Sequence, residues 1–169
     1  MLREFINKAD RVIERVSNAF TVLSGVLIVL MAFLASYGVI RRYVFESPEP
    51  YSYELSMMFL LWTFVLALAY LEKLDSHLRV DFFVILLPIK IRTFLLNVIG
   101  PLAGFIFCAV LTREGWTVAM YSLESGEKSM SIWAVPLFPV KIVIPIGYGL
   151  LCIVLLLKII QGILKIREE

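Results

Sequence analysis

Charged residues are absent from four long and mostly apolar stretches of the chain. These stretches cover residues 16–40, 55–71, 93–112 and 142–157. A helix rises about 1.5 Å per residue, so stretches of this length approach or exceed the hydrocarbon core of a bilayer, about 30 Å thick. The shortest stretch, residues 142–157, can span the core if a flanking lysine lies within the helix and extends its ammonium toward the lipid headgroups. The pattern predicts four transmembrane helices, over about residues 16–42, 53–72, 92–120 and 139–164.

The residues before the first predicted span follow a different pattern. Apolar side chains recur at steps of three and four through residues 2–16, and the charged residues of this segment fall on the opposite face. That period is typical of an amphipathic helix. The sequence predicts such a helix over residues 1–15, lying in the membrane interface. Packing of its apolar stripe against a partner subunit remains an open alternative.

A second short element is predicted between spans two and three. Residues 82–89 carry no charge, and Pro88 interrupts this stretch near its end. Eight residues cannot cross a bilayer, so they predict a short helix or re-entrant segment at the membrane surface.

Composition supports the same fold class. Hydrophobic residues make up 60% of the 169 residues and charged residues 18%, whereas soluble domains are about half apolar and a quarter charged. A chain of this length has too little interior to bury that excess, so lipid has to cover it. The sequence therefore predicts an all-α integral membrane protein, with residues 1–169 forming a single four-helix membrane domain.

The lysines and arginines predict the orientation of the chain. Eleven of the 16 lie at the two ends and in the connection between spans two and three, and five lie in the other two connections. Because basic residues are enriched on the cytoplasmic side, we expect both termini in the cytoplasm.

Catalytic and ligand-binding chemistry has little support. None of the four uncharged stretches contains a carboxylate or a basic side chain, His77 is the only histidine, and HExxH and GxSxG motifs are absent. Without a nucleophile and base, paired acids or a metal cluster, we expect no enzyme and no cofactor. The net charge of +2 gives no reason to expect nucleic acid. Ion-coupled carriers place ionisable groups at mid-membrane, which favours a helical scaffold over the alternative, a stand-alone carrier or channel.

Three pairs of residues are candidates for interface contacts. Arg42 and Glu54 flank the first turn outside the membrane and could hold two helices, or a helix and a partner, together. His77 and Asp81 are four residues apart and would share a helix face. Gly100 and Gly104 have the GxxxG spacing of close helix contacts in lipid. For each pair the plain alternative stays open: solvated charges for the first two, and a coincidence of glycines for the third.

Taken in order, the short motifs of this chain resemble a known family. The matching residues are Arg42-Tyr43-x-Phe45, Tyr53-Glu54-Leu55, Trp62, His77-Leu78-Arg79-Val80-Asp81, Pro88 with Arg92, and Ile144-Pro145-Ile146-Gly147. Together they resemble the small (DctQ-type) membrane subunit of the tripartite ATP-independent periplasmic, or TRAP, transporters. The sequence departs from the family pattern at two places: Tyr53 with a single Glu54 replaces a tryptophan and paired acids, and Ala67-Leu68-Ala69 replaces a Gly-Ala pair.

The resemblance implies a three-part uptake system in the bacterial inner membrane. A periplasmic binding protein would deliver an organic acid of the dicarboxylate or sialic acid class, and a large permease subunit with about twelve spans would carry it inward, driven by sodium. The small subunit would pack against the large one, with phospholipids around it, and would be neither a catalyst nor a substrate-binding subunit. Its expected interface residues are Arg42, Tyr43, Glu54, Trp62, His77, Asp81, Gly100 and Gly104. The loops over residues 41–54 and 113–141 are expected to face the binding protein.

Overall fold

The computed structural model of the chain describes residues 2–74, 88, 92 and 95–166. In these ranges the helices are α1 (Leu2–Tyr43), α2 (Tyr51–Lys73), α3 (Gly100–Glu124), α4 (Phe138–Lys141) and α5 (Val143–Ile166). Among the described residues, four segments are long and apolar enough to cross a membrane: Asp10–Tyr43, Tyr51–Lys73, Gly100–Glu124 and Phe138–Leu164. This confirms the predicted all-α membrane fold with four spans. The predicted surface helix over residues 82–89 falls, apart from Pro88, outside the described residues, as do His77 and Asp81.

The predicted amphipathic helix and the first span form one continuous helix. α1 has 42 residues and is therefore about 63 Å long, twice the thickness of a hydrocarbon core. No proline occurs between residues 2 and 43, so nothing in the sequence removes a backbone hydrogen bond and stops the helix. The predicted amphipathic segment forms the first turns of α1. Their position at the membrane interface remains a prediction.

The helix of the third span starts with an irregular turn. A short π-helical segment, Leu95–Ile99, leads directly into α3, whose second residue is Pro101. Proline lacks the N–H of a regular helix, and its ring clashes with the carbonyl four residues earlier. The preceding turn therefore widens, which is the usual cause of such a segment inside a helix.

A proline also lies at the start of the fourth span, at Pro145. It is the third residue of α5, where its missing N–H would have had no partner in the helix. The preceding turn is the short helix α4, and Ile142 separates the two.

The four spans form a row rather than a square bundle. α1 packs on α2, α2 packs on α5, and α5 packs on α3; the remaining contacts between spans are minor. The order across the row is therefore α1, α2, α5, α3. The best-buried cluster lies where the last three helices meet, and consists of Ala69, Cys108, Leu151, Val154 and Leu155.

The described helices of this row expose large apolar side chains. Phe33, Phe64 and Phe107, on three different helices, are all mostly exposed. Large exposed apolar surfaces on a membrane helix require lipid or another membrane protein as a neighbour.

Candidate functional site

The closest helix contact joins α2 to α5. A Cβ placed on Gly147 would lie 2.6 Å from the carbonyl oxygen of Val65 and would also overlap its Cγ1 atom. Only a glycine permits this approach of two backbones. The contact joins the α1–α2 hairpin to the α3–α5 hairpin.

Glycines also shape the contact between α3 and α5, but of the GxxxG pair only Gly104 faces α5. A Cβ on Gly104 would meet the side chain of Leu155 at 3.4 Å, whereas one on Gly100 would meet only the carbonyl of Leu95, in the preceding turn. Gly115, which the sequence reading passed over, packs within 3.2 Å of Pro145. Gly104 and Gly115 are three turns apart, so both lie on the face that α3 turns toward α5.

A charged pair joins α2 and α5 near one membrane surface. The Lys158 ammonium donates to the Glu72 carboxylate at 2.7 Å and to the Glu72 carbonyl oxygen at 2.9 Å. The two side chains are only 22% and 14% exposed. These two residues were not paired from the sequence. The available signal was that opposite charges stand near the C-terminal ends of the second and fourth spans, which run parallel to each other.

A second charged cluster holds the start of α1 against the end of α2. Lys73 lies 3.2 Å from the carboxylate of Asp10 and 3.3 Å from that of Glu14, and also donates to the Asp10 carbonyl oxygen. Asp10 and Glu14 are one turn apart and face the same neighbour. The amphipathic part of α1 is thus tied to α2 within this chain.

At the opposite membrane surface, Glu49 caps α2. Its carboxylate accepts hydrogen bonds from the backbone N–H groups of Tyr51 and Ser52, both at 2.9 Å. Burial alone would raise the pKa of Glu49, but the hydrogen bonds from Ser52 and Tyr51 outweigh it and leave the pKa below 4.5. A negative charge at a helix N-terminus is also favoured by the helix dipole. A Cβ on Gly38 would touch Glu49 and Ser52, so this glycine lets α1 approach the cap.

Arg42 and Glu54 are not brought together. The Arg42 guanidinium lies over the ring of Tyr43, 5.5 Å from its centre, and both residues are exposed. The Glu54 carboxylate accepts a hydrogen bond from the Ser129 hydroxyl, at 3.4 Å. Glu54 therefore connects α2 to the loop between α3 and α4, and Arg42 remains at the surface.

Trp62, in the middle of α2, packs against Phe59 with the two rings tilted and their centres 5.9 Å apart. Its indole nitrogen is shielded from solvent and has no hydrogen-bond acceptor among the described residues. A shielded indole N–H normally finds a partner.

The loop between α3 and α4 crosses the N-terminal end of α2. Lys128 and Pro136 pair as an isolated bridge, and Lys141 forms an ion pair with Glu127. The Lys141 ammonium lowers the pKa of Glu127. Trp133 reaches the first residue of α2, where its ring meets Tyr51 edge-on at 6.0 Å. This loop thus forms a second link between the two helix hairpins.

These contacts describe a packing site rather than a reaction site. Within the described residues, no group of three or more His, Cys, Asp or Glu side chains is placed to hold a metal ion. The charged residues that pair do so near the helix ends, and the glycines lie at the helix contacts.

A comparison with protein families finds one match. The family model described as "Tripartite ATP-independent periplasmic transporters, DctQ component" matches residues 31–165, well over half of the chain. No curated protein matches the chain. The matched region includes the C-terminal part of the first span and the three other spans.

Proposed function

Because the chain belongs to the DctQ family, the small components of the tripartite ATP-independent periplasmic transporters, we propose that it is the non-catalytic subunit that braces the large permease subunit. In this proposal the large subunit has about twelve spans and moves its substrate by an elevator motion against a fixed frame. The chain described here would enlarge that frame. It would lie in the bacterial inner membrane with both termini in the cytoplasm.

The observation that carries this proposal is the row of spans, whose helices expose large apolar side chains. A helix bundle that works alone closes around an interior where polar groups can bind a solute. In this row each span packs mainly on one or two others, and the described residues enclose no interior of that kind. The exposed apolar surface can receive a membrane protein and lipid.

The position of the charges supports the same proposal. No charged residue falls within residues 16–40, 55–71, 93–112 or 142–157. The ion pair between Glu72 and Lys158 holds two helices of this chain together at a span end. A carrier driven by sodium would need ligands for the ion within the membrane, and we assign that role to the large subunit.

The transported substrate and its delivery are part of the proposal. We infer sodium-driven uptake of an organic acid, of the dicarboxylate or sialic acid class, handed over by a periplasmic binding protein. Specificity would lie in the binding protein and the large subunit. The chain described here would contribute a surface, with the turn over residues 44–50 and the loop over residues 125–137 nearest to the binding protein.

Copurification and reconstitution test the proposal. A tagged form of this chain, expressed together with the large subunit, is expected to retain it through size-exclusion chromatography. Proteoliposomes with both subunits and the binding protein should take up the organic acid on a sodium gradient, and vesicles with this chain alone should take up none. Sodium-driven uptake by this chain alone would overturn the proposal. A matched control uses vesicles with the large subunit alone, where we expect reduced uptake.

A further inference from the structure

The loop between α3 and α4 carries two apolar side chains at its tip, and both are almost fully exposed. Met130 is fully exposed and Ile132 is 94% exposed, the highest values among the large apolar residues of the described chain. Exposed apolar side chains placed next to each other mark a contact surface. The family and the scaffold role do not explain this tip, because it does not belong to the row of spans.

The tip is held on a fixed frame. The backbone N–H of Ser129 donates to the carbonyl of Val135 at 2.8 Å, and the N–H of Leu137 donates to the carbonyl of Glu127 at 3.0 Å. The hydroxyl of Ser129 also accepts a hydrogen bond from the N–H of Val135, at 3.0 Å. The exposure of Met130 and Ile132 is therefore built into the conformation of the loop.

Neighbouring aromatic rings place the tip at the level of the membrane surface. Trp133 follows Ile132 and contacts Tyr51, whose ring stacks on Tyr37 at 6.4 Å. The uncharged stretch of α1 ends at residue 40. Tyr37 lies three residues before that end, a distance of about 4.5 Å along the helix axis. Tryptophan and tyrosine prefer this zone, where the ring lies among headgroups.

The charge pattern of the loop favours lipid over water. Residues 129–140 contain no charged residue, and lysines stand at both ends, Lys128 and Lys141. A connection facing water is normally polar, whereas this one continues the apolar character of the fourth span. The one polar side chain at the tip, Ser131, pairs its hydroxyl with that of Ser129 at 2.8 Å, so entering the interface leaves it with a partner.

We propose that Met130 and Ile132 insert into the lipid leaflet on the side of the membrane where α2 begins. The occupant of this surface is phospholipid, in the region of the headgroups and the first methylenes. The loop then fixes the depth of the start of α2 and the end of α3 in the membrane. Only its tip meets lipid, and the rest of the loop stays available to the binding protein of the proposed function. This inference does not depend on the proposed function, because it concerns the chain and the bilayer only.

Fluorescence of single-cysteine variants tests the inference. The full chain, with Cys108 and Cys152 replaced by alanine, receives Ile132→Cys, labelled with an environment-sensitive nitrobenzoxadiazole dye in nanodiscs of phosphatidylethanolamine and phosphatidylglycerol. We expect blue-shifted emission, quenched about threefold more by lipids spin-labelled near the headgroup than by aqueous iodide, as for a group in the interface. Met130→Cys is the second position and should behave in the same way.

The control position is Glu46→Cys, in the exposed turn after α1, where iodide should be the stronger quencher. Iodide quenching at positions 130 and 132 as strong as at position 46 would overturn the inference. A blue shift that develops only when the large permease subunit is added would overturn it as well, because the occupant would then be protein. Loss of transport in the reconstitution experiment would leave these results unchanged, so the two proposals fail separately.

Discussion

The Val65 backbone of α2 packs directly against Gly147 of α5, and a methyl group on that glycine would lie 2.6 Å from the Val65 carbonyl oxygen. The two residues are 82 positions apart in the sequence. Their contact joins the α1–α2 hairpin to the α3–α5 hairpin, so it holds the row together at its middle. Because the neighbour is backbone rather than a flexible side chain, it cannot rotate away.

We expect Gly147→Ala to push α2 and α5 apart and to destabilise the isolated chain by about 1–3 kcal/mol, the usual range for overpacking. Gly149→Ala is the matched control, since a Cβ there would make an ordinary contact of 3.6 Å with Thr112. Thermal unfolding in detergent, followed by tryptophan fluorescence, measures both. Equal melting temperatures for the two variants would contradict the predicted contact.

The Glu72–Lys158 pair predicts a different outcome for single and double substitutions. Lys158→Met removes the ammonium that pairs with Glu72 in a mostly buried place, and we expect a loss of about 1–3 kcal/mol, below the range for fully buried pairs. Adding Glu72→Gln removes the carboxylate charge and should recover part of the loss. A double-mutant cycle on unfolding free energies measures the coupling between the two residues.

The exposed pair of Arg113 and Glu114 provides the control for this cycle. Its atoms are 4.0 Å apart and its side chains are 86% and 60% exposed, so Glu114→Gln should leave stability almost unchanged. A loss in the double variant equal to the sum of the losses in Lys158→Met and Glu72→Gln would show that the pair is not coupled.

The fold class was predictable because it depends on where charges are missing. A charge within the bilayer is expensive, so long uncharged stretches indicate spans whatever their neighbours are. Pro145 was less decisive, since a proline within a span either kinks the helix or lies in its first turn, and the structure has it in the first turn. The continuity of α1 was not predicted, because the change from amphipathic to apolar pattern resembled a boundary although no residue breaks the helix.

The contacts between helices were not predictable to the same degree. Val65 with Gly147 and Glu72 with Lys158 depend on which spans are neighbours, and nothing in the sequence near these residues carries that information. Arg42 and Glu54 were paired on the ground that they flank one turn. In the structure the guanidinium lies over Tyr43 and the carboxylate meets the loop at Ser129, because the two helices present them to different neighbours.

The ion pair of Glu127 and Lys141 predicts an acid-sensitive loop. The ammonium lowers the pKa of Glu127 below 4.5, so its contribution is fully present above that pH and is lost as the pH falls through the lowered value. We expect the emission of Trp133, with Trp62 and Trp116 replaced by phenylalanine, to change in this range. Glu127→Gln should abolish the change, and Glu124→Gln, on the exposed end of α3, should keep it. A change that persists in Glu127→Gln would assign it to another group.

Glu54 tests whether a carboxylate at the start of α2 serves the partner or only this chain. Its hydrogen bond from Ser129 is long, at 3.4 Å, and a glutamine oxygen could accept the same bond. Glu54→Gln should therefore leave the unfolding free energy of the isolated chain within about 0.5 kcal/mol, whereas recovery of the large subunit in copurification should fall if the negative charge meets a cation there. Ser129→Ala is the matched control, because it removes the internal bond and keeps the charge. Recovery unaffected by Glu54→Gln would show that Glu54 is a solvated headgroup charge. A loss shared equally by both variants would place its role within this chain, in holding the loop to α2.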